Sequence, residues 1–340
     1  MIDLRSDTIT KPTPEMLQAM MTAEVGDDVF SDDPTVNALQ SKVALLFGME
    51  EAIYCPSGTM TNQIAMRIHT RPQDEVICHK YSHVYLYEGG GMMYNSMLSP
   101  KLLEGKRGRV TAEMIKESIN PDDIHFPNSK LVVLENTMNK GGGAIYDIEE
   151  IKKIRKVCDE HNLLLHLDGA RFFNALVETG EDPQEYGSLF DSISICFSKG
   201  LGAPVGSVLL GSKEKIKEAR RVRKVMGGGM RQAGYLAAAC IHALDHHVDR
   251  LNEDHIRAKK IGNLLDELPF IEEIMPVDTN IVIAKLNEGK SEKWFLDELE
   301  RNEILAVGFG KGLVRFVTHL DFKEDDLELL SQAVKKISYS

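Results

Sequence analysis

Residues 163–171 read LLLHLDGAR, and this short stretch indicates the fold. Its first five residues form an apolar run with one histidine, which is typical of a strand buried on both faces of a parallel sheet. Asp168 follows at the carboxyl end of that strand, where ligands bind in open α/β sheets. The Asp168 carboxylate could hold a protonated ring nitrogen, a metal ion or a ribose, or it could cap the next helix. Arg171 adds a fixed cation nearby, and a structural ion pair is its alternative role.

Similar segments on both sides predict a sheet covered by helices. Apolar runs at 131–134, 192–197 and 206–210 are predicted strands. The helical spacing of apolar residues over 148–161 predicts a crossover between the strands at 131–134 and 163–167. We therefore expect the α/β class with a mostly parallel sheet.

The pattern changes after about residue 245. A long polar helix over 248–268 leads to predicted strands at 280–283 and 312–317, and a closing helix starts at Lys323. A length of 340 residues also favours two domains, at roughly 150 residues per domain. We predict a large domain over residues 1–245 and a small C-terminal α/β domain over residues 246–340.

Composition excludes several classes of function. Lys and Arg total 40 against 52 Asp and Glu, a net charge of −12, which argues against nucleic acid or an anionic membrane as the main partner. The longest apolar run falls far short of the ~20 residues that span a bilayer. The first residues are polar, so we expect no signal peptide. An odd set of 5 cysteines without a CxxC pair favours buried thiols in a reducing cytosol.

Two further segments could carry chemistry at the same sheet edge. Residues 51–62 read EAIYCPSGTMTN, a strand, a turn and a helix start. Free N–H groups at such a helix start bind phosphate, although a Ser or Thr N-cap alone explains the segment too. Lys199 ends another apolar strand and precedes Gly-Leu-Gly, where desolvation would make its amine a nucleophile toward carbonyls. A surface lysine in a turn is the alternative.

The remaining motifs are less specific. Residues 227–232 read GGGMRQ, a Gly-rich loop in which Arg231 could reach an anion. The sequence contains no HExxH motif and no GxGxxG that opens a βαβ unit, so we predict neither a metal site nor a dinucleotide site.

Taken in order, these segments resemble the low-specificity L-threonine aldolases, which are fold-type I pyridoxal-phosphate enzymes. The order and spacing of the matching motifs hold from residue 1 to about 245, and Arg315 fits in the small domain. The motifs are DLRSDTIT at 3–10, GDDVF at 26–30, LENT at 134–137, DGAR at 168–171, SKG at 198–200 and GGGMRQ at 227–232. The resemblance implies a large domain with a mostly parallel sheet of the seven-stranded type, and pyridoxal 5'-phosphate as the cofactor.

The resemblance also implies roles for particular residues. Lys199 would bind the cofactor aldehyde covalently, Asp168 would keep the ring nitrogen protonated, and His83 would stack on the ring. Arg231 would reach the phosphate from a neighbouring subunit. The cofactor-binding set as a whole is Gly58, Thr59, His83, Asp168, Arg171, Lys199 and Arg231.

The substrate side of the site follows from the same resemblance. Ser6, Arg171 and Arg315 would hold the substrate carboxylate, because an arginine fork suits a carboxylate. His83 is the leading candidate for the base that takes the β-hydroxyl proton, and His125 is the second.

The implied reaction is retro-aldol cleavage of L-threonine or L-allo-threonine to glycine and acetaldehyde, in a cytoplasmic homo-oligomer, a tetramer built from dimers with shared sites. Two alternatives stay open. One is another pyridoxal-phosphate reaction on a small amino acid, namely β-elimination, transamination or hydroxymethyl transfer. The other is a non-catalytic pyridoxal-phosphate-binding homologue.

Overall fold

Strands and helices alternate along residues 1–338, the part of the chain that the computed structural model describes. The strands there are β1 (Ile2–Asp3), β2 (Glu51–Cys55), β3 (Glu75–His79), β4 (Ser99–Leu103), β5 (Ser129–Glu135), β6 (Leu164–Gly169), β7 (Ser192–Cys196), β8 (Ser207–Gly211), β9 (Ile271–Ile274), β10 (Ile281–Leu286), β11 (Ile304–Leu305), β12 (Val307–Gly310) and β13 (Leu313–Val317). The α-helices there are α1 (Pro14–Met21), α2 (Pro34–Leu46), α3 (Gly58–His69), α4 (His83–Leu86), α5 (Gly91–Ser96), α6 (Ala112–Ser118), α7 (Ile148–Glu160), α8 (Phe172–Thr179), α9 (Pro183–Leu189), α10 (Lys213–Val225), α11 (Gly234–His246), α12 (Leu251–Asp266), α13 (Glu292–Arg301) and α14 (Glu324–Ser338). The predicted strands and helices are confirmed, with bounds shifted by a few residues.

The large sheet has seven strands in the order β2-β8-β7-β6-β5-β3-β4. The pairs from β7 through β6, β5 and β3 to β4 are parallel, which confirms the expected class. Strand β8 runs antiparallel to both of its neighbours. Its reversal follows from the short link of residues 197–206, because a parallel return needs a longer crossover connection.

Helices cover both faces of this sheet. Neighbouring residues Ile53 and Tyr54 of β2 enter two different apolar cores. One core includes Ile151 of α7, and the other includes Ile64 of α3. Strands buried on both sides explain why the apolar runs are continuous rather than alternating.

The register of the parallel strands aligns their carboxyl ends. Glu135 of β5 pairs with Asp168 of β6, and Asp168 pairs with Ser194 of β7. Cys55 at the end of β2 lies opposite Ser207, at the start of β8. The turn into α3 and the loop that carries Lys199 therefore open at the same edge as Asp168.

The C-terminal part of the chain forms a second, antiparallel sheet in the order β12-β13-β10-β9. Helices α12, α13 and α14 contribute to its own apolar core. The first residues of the chain join this core rather than that of the large sheet, because β1 pairs with β11 and Leu4 is buried there. The N-terminal segment thus links the two sheets.

Candidate active site

Asp168 is the buried carboxylate at the centre of the edge where the parallel strands end. Its residue is 2% exposed. Its Oδ2 accepts a hydrogen bond from Nδ2 of Asn62 on α3 at 2.9 Å, and its Oδ1 accepts one from the backbone N–H of Ala170 at 3.2 Å. The predicted position at the strand end is confirmed. The second bond is a local turn contact and not a helix cap, because α8 begins at Phe172 and its N-cap residue is Arg171, with no side-chain capping bond.

Lys199 lies in the loop that follows β7, next to the N-terminal segment. Its backbone carbonyl accepts a hydrogen bond from Thr10 Oγ1 at 3.3 Å. Its ammonium is close enough to act on the pKa of Asp7, which it lowers, and on that of His83, where it opposes protonation. The Lys199 amine therefore lies within electrostatic range of both Asp7 and His83.

His83 begins α4 and is held at two points. Its backbone N–H donates to Oε2 of Glu135 at 2.7 Å, and its Nδ1 lies 3.0 Å from Oε1 of the buried Glu88. Burial alone would lower the pKa of His83, but the hydrogen bond to Glu88 and the negative charge of Asp168 outweigh it, and the pKa is raised. Because Nδ1–H donates to Glu88, the neutral ring keeps its lone pair on Nε2.

Glu135 is the buried neighbour of Asp168 in the sheet. Burial first, and then the charge of Asp168, raise the pKa of Glu135 to about 7. Besides the N–H of His83, Glu135 accepts the backbone N–H of Asn139 at 2.9 Å. Glu135 therefore fixes the loops on either side of the site.

The turn before α3 has the features of an anion cradle. Ser57 caps the helix by accepting the backbone N–H of Met60 at 3.2 Å. A Cβ on Gly58 would lie 3.6 Å from Ser207 Oγ. That hydroxyl is buried and has no hydrogen-bond partner in the described part of the chain. An unpartnered hydroxyl beside the first turn of a helix, at Gly58 and Thr59, fits a phosphate group.

The two predicted carboxylate-binding arginines differ in their partners. Nε and Nη2 of Arg171 donate to Asp7 at 2.7 and 2.6 Å, so this edge of the fork is occupied by a structural ion pair. Arg315 donates to Oδ1 of Asn139 at 2.8 Å and to the carbonyl of Arg5 at 2.9 Å. Among residues 1–338, no carboxylate pairs with Arg315.

Arg315 is thus a buried cation without a carboxylate bound to it in the described residues, and its Cζ lies 4.8 Å from the centre of the Phe309 ring. It is 9% exposed, and its Nε has no hydrogen-bond partner within residues 1–338. Burial, and next the positive charge of Arg171, lower the pKa of Arg315 to about 10. Such a cation attracts an anionic ligand, because a buried charge without a partner is unfavourable. Ser6 lies next to Asp7 and its Oγ accepts the backbone N–H of Thr8 at 3.2 Å.

Two predicted residues are not brought to this cluster within one chain. His125 lies in the loop that enters β5, at the amino edge of the sheet, and its side chain is 79% exposed beside Asp123. Arg231 has a side chain that is 55% exposed and pairs with Asp27 at 3.0 Å. Their predicted roles can be played only in a site of a neighbouring subunit.

Four residues of the site were missed by the sequence analysis: Asp7, Asn62, Glu88 and Glu135. Of these, Asp7 and Glu135 lie inside the motifs that carry the resemblance, which was a usable signal. Glu88 and Asn62 carry no local signal, because single polar residues near a helix are usually solvent-facing. His83, Glu88 and Asp168 offer ligand atoms within 4.8 Å of one another, a spacing that a metal ion could also use.

These features define the class of protein. A mostly parallel seven-stranded sheet whose carboxyl edge carries a buried aspartate, a loop with a lysine and the first turn of a helix is the fold of the fold-type I pyridoxal-phosphate enzymes.

Comparisons with known proteins give the family. Residues 3–288 match the model of the beta-eliminating lyase family, and the chain belongs to that family. It is 44% identical to the low specificity L-threonine aldolase of Escherichia coli K12, over 96% of each chain. It is 39% identical to a probable low-specificity L-threonine aldolase 2 of Arabidopsis thaliana, over 100% of this chain and 98% of the relative. A solved threonine aldolase of Leishmania major has the same fold, with a TM-score of 0.86 at 21% identity, covering 99% of this chain and 100% of that one.

Replacing Asp7 tests the buried ion pair. Burial would raise the pKa of Asp7, but the charge and hydrogen bonds of Arg171 lower it to about 2. A depressed folded-state pKa adds stability that is complete above the unfolded value of about 3.8 and is lost as the pH falls toward 2. We expect Asp7→Asn to lower the free energy of unfolding by about 3 kcal/mol at pH 7, since it leaves a buried cation unpaired.

The difference in the free energy of unfolding between the wild type and Asp7→Asn should narrow by about 2 kcal/mol as the pH falls from 7 toward 2. Urea unfolding followed by circular dichroism from pH 7 downward measures it. Asp3→Asn is the matched control, because Asp3 pairs with an exposed Arg5 and such pairs contribute about 0–1 kcal/mol. Equal losses of unfolding free energy in Asp7→Asn and Asp3→Asn would contradict the assignment of Asp7 to a stabilising buried ion pair.

Proposed function

We propose that the chain catalyses pyridoxal-phosphate-dependent retro-aldol cleavage of L-threonine or L-allo-threonine to glycine and acetaldehyde. The observation that carries this proposal is Arg315, a buried cation near Arg171 and Asp7 that pairs with no carboxylate among residues 1–338. A free amino acid supplies the missing carboxylate. Its β-hydroxyl would then lie at His83, the histidine that contacts Glu88. The names of the relatives agree with this substrate class.

The residues at the carboxyl edge fit the cofactor. Gly58, Thr59 and the unpartnered Ser207 hydroxyl would hold its phosphate, Asp168 its ring nitrogen, and Lys199 its aldehyde carbon. When bound, pyridoxal phosphate supplies an electron sink for the pair released at Cα as the Cα–Cβ bond breaks.

The substrate carboxylate binds at Arg315, with Ser6 beside it and the remaining donors of Arg171 as second support. This clamp fixes the orientation of the Cα–Cβ bond, and orientation decides which bond at Cα breaks. His83 accepts the β-hydroxyl proton on Nε2, and Glu88 stabilises the imidazolium that forms through Nδ1–H.

A second candidate function is β-elimination on a hydroxy amino acid, which the family description favours. It would use the same lysine and aspartate but release 2-oxobutyrate from threonine. Transamination and hydroxymethyl transfer belong to the same set of alternatives.

Replacing Arg315 tests the substrate clamp. Arg315→Ala removes a charge-assisted bond, so we expect kcat/KM for L-threonine to fall about 10- to 100-fold or more. The visible absorbance of bound cofactor should persist in this variant and disappear in Lys199→Ala. Arg5→Ala is the control, because its exposed side chain forms an ion pair with Asp3 and with no other carboxylate among residues 1–338.

Acetaldehyde and 2-oxobutyrate are measured in parallel for L-threonine and L-allo-threonine. Release of 2-oxobutyrate without acetaldehyde would favour β-elimination. Cofactor absorbance without either product would favour a non-catalytic homologue, and normal kcat/KM in Arg315→Ala would refute the clamp.

Replacing Glu88 tests the base. Because Glu88 helps to raise the pKa of His83, Glu88→Gln should lower it. The neutral ring is the active form, so kcat/KM rises with pH through this pKa, and the rise should move to lower pH by up to about one unit. The maximal kcat should also fall, because the imidazolium loses its counter-charge. A pH profile that does not move, with the fold intact, would remove His83 as the base.

We further propose a cytoplasmic homo-oligomer, a tetramer built from dimers with shared sites. A group of apolar side chains near α4 and α5 is exposed in the single chain, as expected of an interaction surface. Its members are Tyr81, Tyr85, Leu86, Tyr87, Met93, Tyr94 and Met97. The cysteines are free and buried, which supports a reducing compartment. No helix within residues 1–338 is long and apolar enough to cross a membrane.

Mixed oligomers test the shared site. If Arg231 and His125 act in a neighbour's site, Lys199→Ala co-expressed with Arg231→Ala or His125→Ala should regain activity, because a mixed pair contains one intact site. Light scattering gives the number of subunits. An active monomer, or mixed oligomers without recovered activity, would contradict the proposal.

A further inference from the structure

The side-chain amide of Asn62 connects the two carboxylates of the site. Its Nδ2 donates one hydrogen to Oδ2 of Asp168 and the other to Oε1 of Glu88, both at 2.9 Å. Its Oδ1 lies 3.1 Å from Nε2 of His166 on β6. The reverse orientation would place Oδ1 against two carboxylate oxygens, so the direction of this amide is fixed.

The direction of the amide determines the protonation of His166. Oδ1 can only accept, so Nε2 of His166 carries the hydrogen. Burial, the largest influence, lowers the pKa of His166 to about 4, and the ring is neutral with a lone pair on Nδ1. That nitrogen lies 2.8 Å from Ser192 Oγ and 3.1 Å from the Ser192 carbonyl oxygen. With the hydrogen of the neutral ring on Nε2, Nδ1 cannot donate to the carbonyl, so the serine hydroxyl donates to Nδ1.

The same reasoning extends to His69 at the end of α3. With its hydrogen committed to His166, Ser192 Oγ accepts from Nε2 of His69 at 2.8 Å. Burial lowers the pKa of His69 to about 3, so this ring is neutral too. Its Nδ1 is buried without a partner in the described residues, as expected for an unused acceptor rather than a lost donor.

Each hydrogen bond in this chain of contacts is therefore donated in the direction of Asp168 and Glu88. The order of donors is His69, Ser192, His166 and Asn62. The chain runs through the large domain from Ser192, at the start of β7, to the carboxyl edge of the sheet. Aligned hydrogen bonds in a low-dielectric interior reinforce one another, and donors stabilise the ionised form of a carboxylate. The other titratable groups that face Asp168 are Glu135 on β5 and His83 on α4. Lys199 lies in the same cluster.

We propose that Asn62, His166, Ser192 and His69 form a polarised positioning chain that holds the cofactor carboxylate Asp168 and the base partner Glu88 together in their hydrogen-bonded arrangement. Asn62 is the member that couples the two. The proposal rests on the proposed function, because it assigns Asp168 to the ring nitrogen and Glu88 to His83.

The tautomers give the first test, without any turnover. In the full-length holoenzyme labelled with ¹⁵N-histidine, two-bond ¹H–¹⁵N spectra should show His166 as the neutral Nε2–H form down to about pH 5. Ser192→Ala identifies this signal by shifting it. Finding the Nδ1–H form for His166, or a titration near the ordinary pKa of histidine, would overturn the chain.

Cofactor affinity gives the second test. His166→Phe removes the donor to Asn62, while His166→Gln can keep both a donor and an acceptor. We expect the dissociation constant of pyridoxal phosphate, measured by fluorescence, to rise about tenfold or more in His166→Phe. The pH below which binding weakens should move toward neutrality by about one unit, a shift that a merely structural role would not cause.

His166→Gln should restore binding to within about threefold, and His255→Phe is the matched control because His255 is buried between Asn174 and Glu178 outside the chain of contacts. If His166→Phe fails to fold, Ser192→Ala replaces it as the less disruptive variant. We expect it to shift the pH below which binding weakens in the same direction by a smaller amount. If the pH below which pyridoxal phosphate binding weakens is the same in His166→Phe as in the wild type while threonine is cleaved, the positioning chain is wrong and the proposed function stands. If that pH shifts in His166→Phe but the wild type forms no acetaldehyde from threonine, the proposed function fails instead.

Discussion

The burial of the Asp168 carboxylate is the constraint on which the rest of the site depends. A carboxylate on a central strand loses its water, and the loss has to be offset by donors or positive charge. The register of the sheet places Glu135 next to Asp168, so a second carboxylate adds to the unfavourable free energy of burial. Asn62 and the backbone N–H of Ala170 donate hydrogen bonds to Asp168 and offset part of it. Glu135 receives two backbone donors, and burial and the neighbouring charge raise its pKa to about 7.

The two arginines show how the same residue type serves structure and binding. Arg171 and Asp7 satisfy each other, so the pair holds the N-terminal segment against the large domain. Arg315 is equally deep but has only an amide and a carbonyl oxygen as acceptors. An unpaired buried cation is unfavourable by itself, and a ligand that neutralises it stabilises the folded state in proportion to its binding. The absence of a carboxylate partner for Arg315 among residues 1–338 is therefore the feature on which the proposed anion site rests.

Sequence patterns predicted the parts of the site that belong to the strands. A buried strand has to end at the sheet edge, so Asp168, Lys199 and the turn before α3 could be placed together from their positions alone. Asn62 and Glu88 could not be placed, because a polar residue near a helix gives no sign of facing inward until the tertiary packing is known. The alternatives for Arg171 also could not be separated, since its partner Asp7 lies 164 positions away. The antiparallel direction of β8 was missed because a buried strand has the same apolar pattern in either direction.

The N-terminal segment and the C-terminal sheet meet at Arg315. Strand β1 pairs with β11, Leu4 enters the core of the C-terminal sheet, and Asp7, three residues further on, pairs with Arg171 just after the end of β6 in the large sheet. Arg315 comes from the small-domain sheet and donates to the carbonyl of Arg5. The surroundings of Arg315 thus depend on the N-terminal segment, which contacts both sheets. A carboxylate bound at Arg315, as proposed above, would add a charged contact at this junction, so its binding would be thermodynamically linked to the packing of the N-terminal segment.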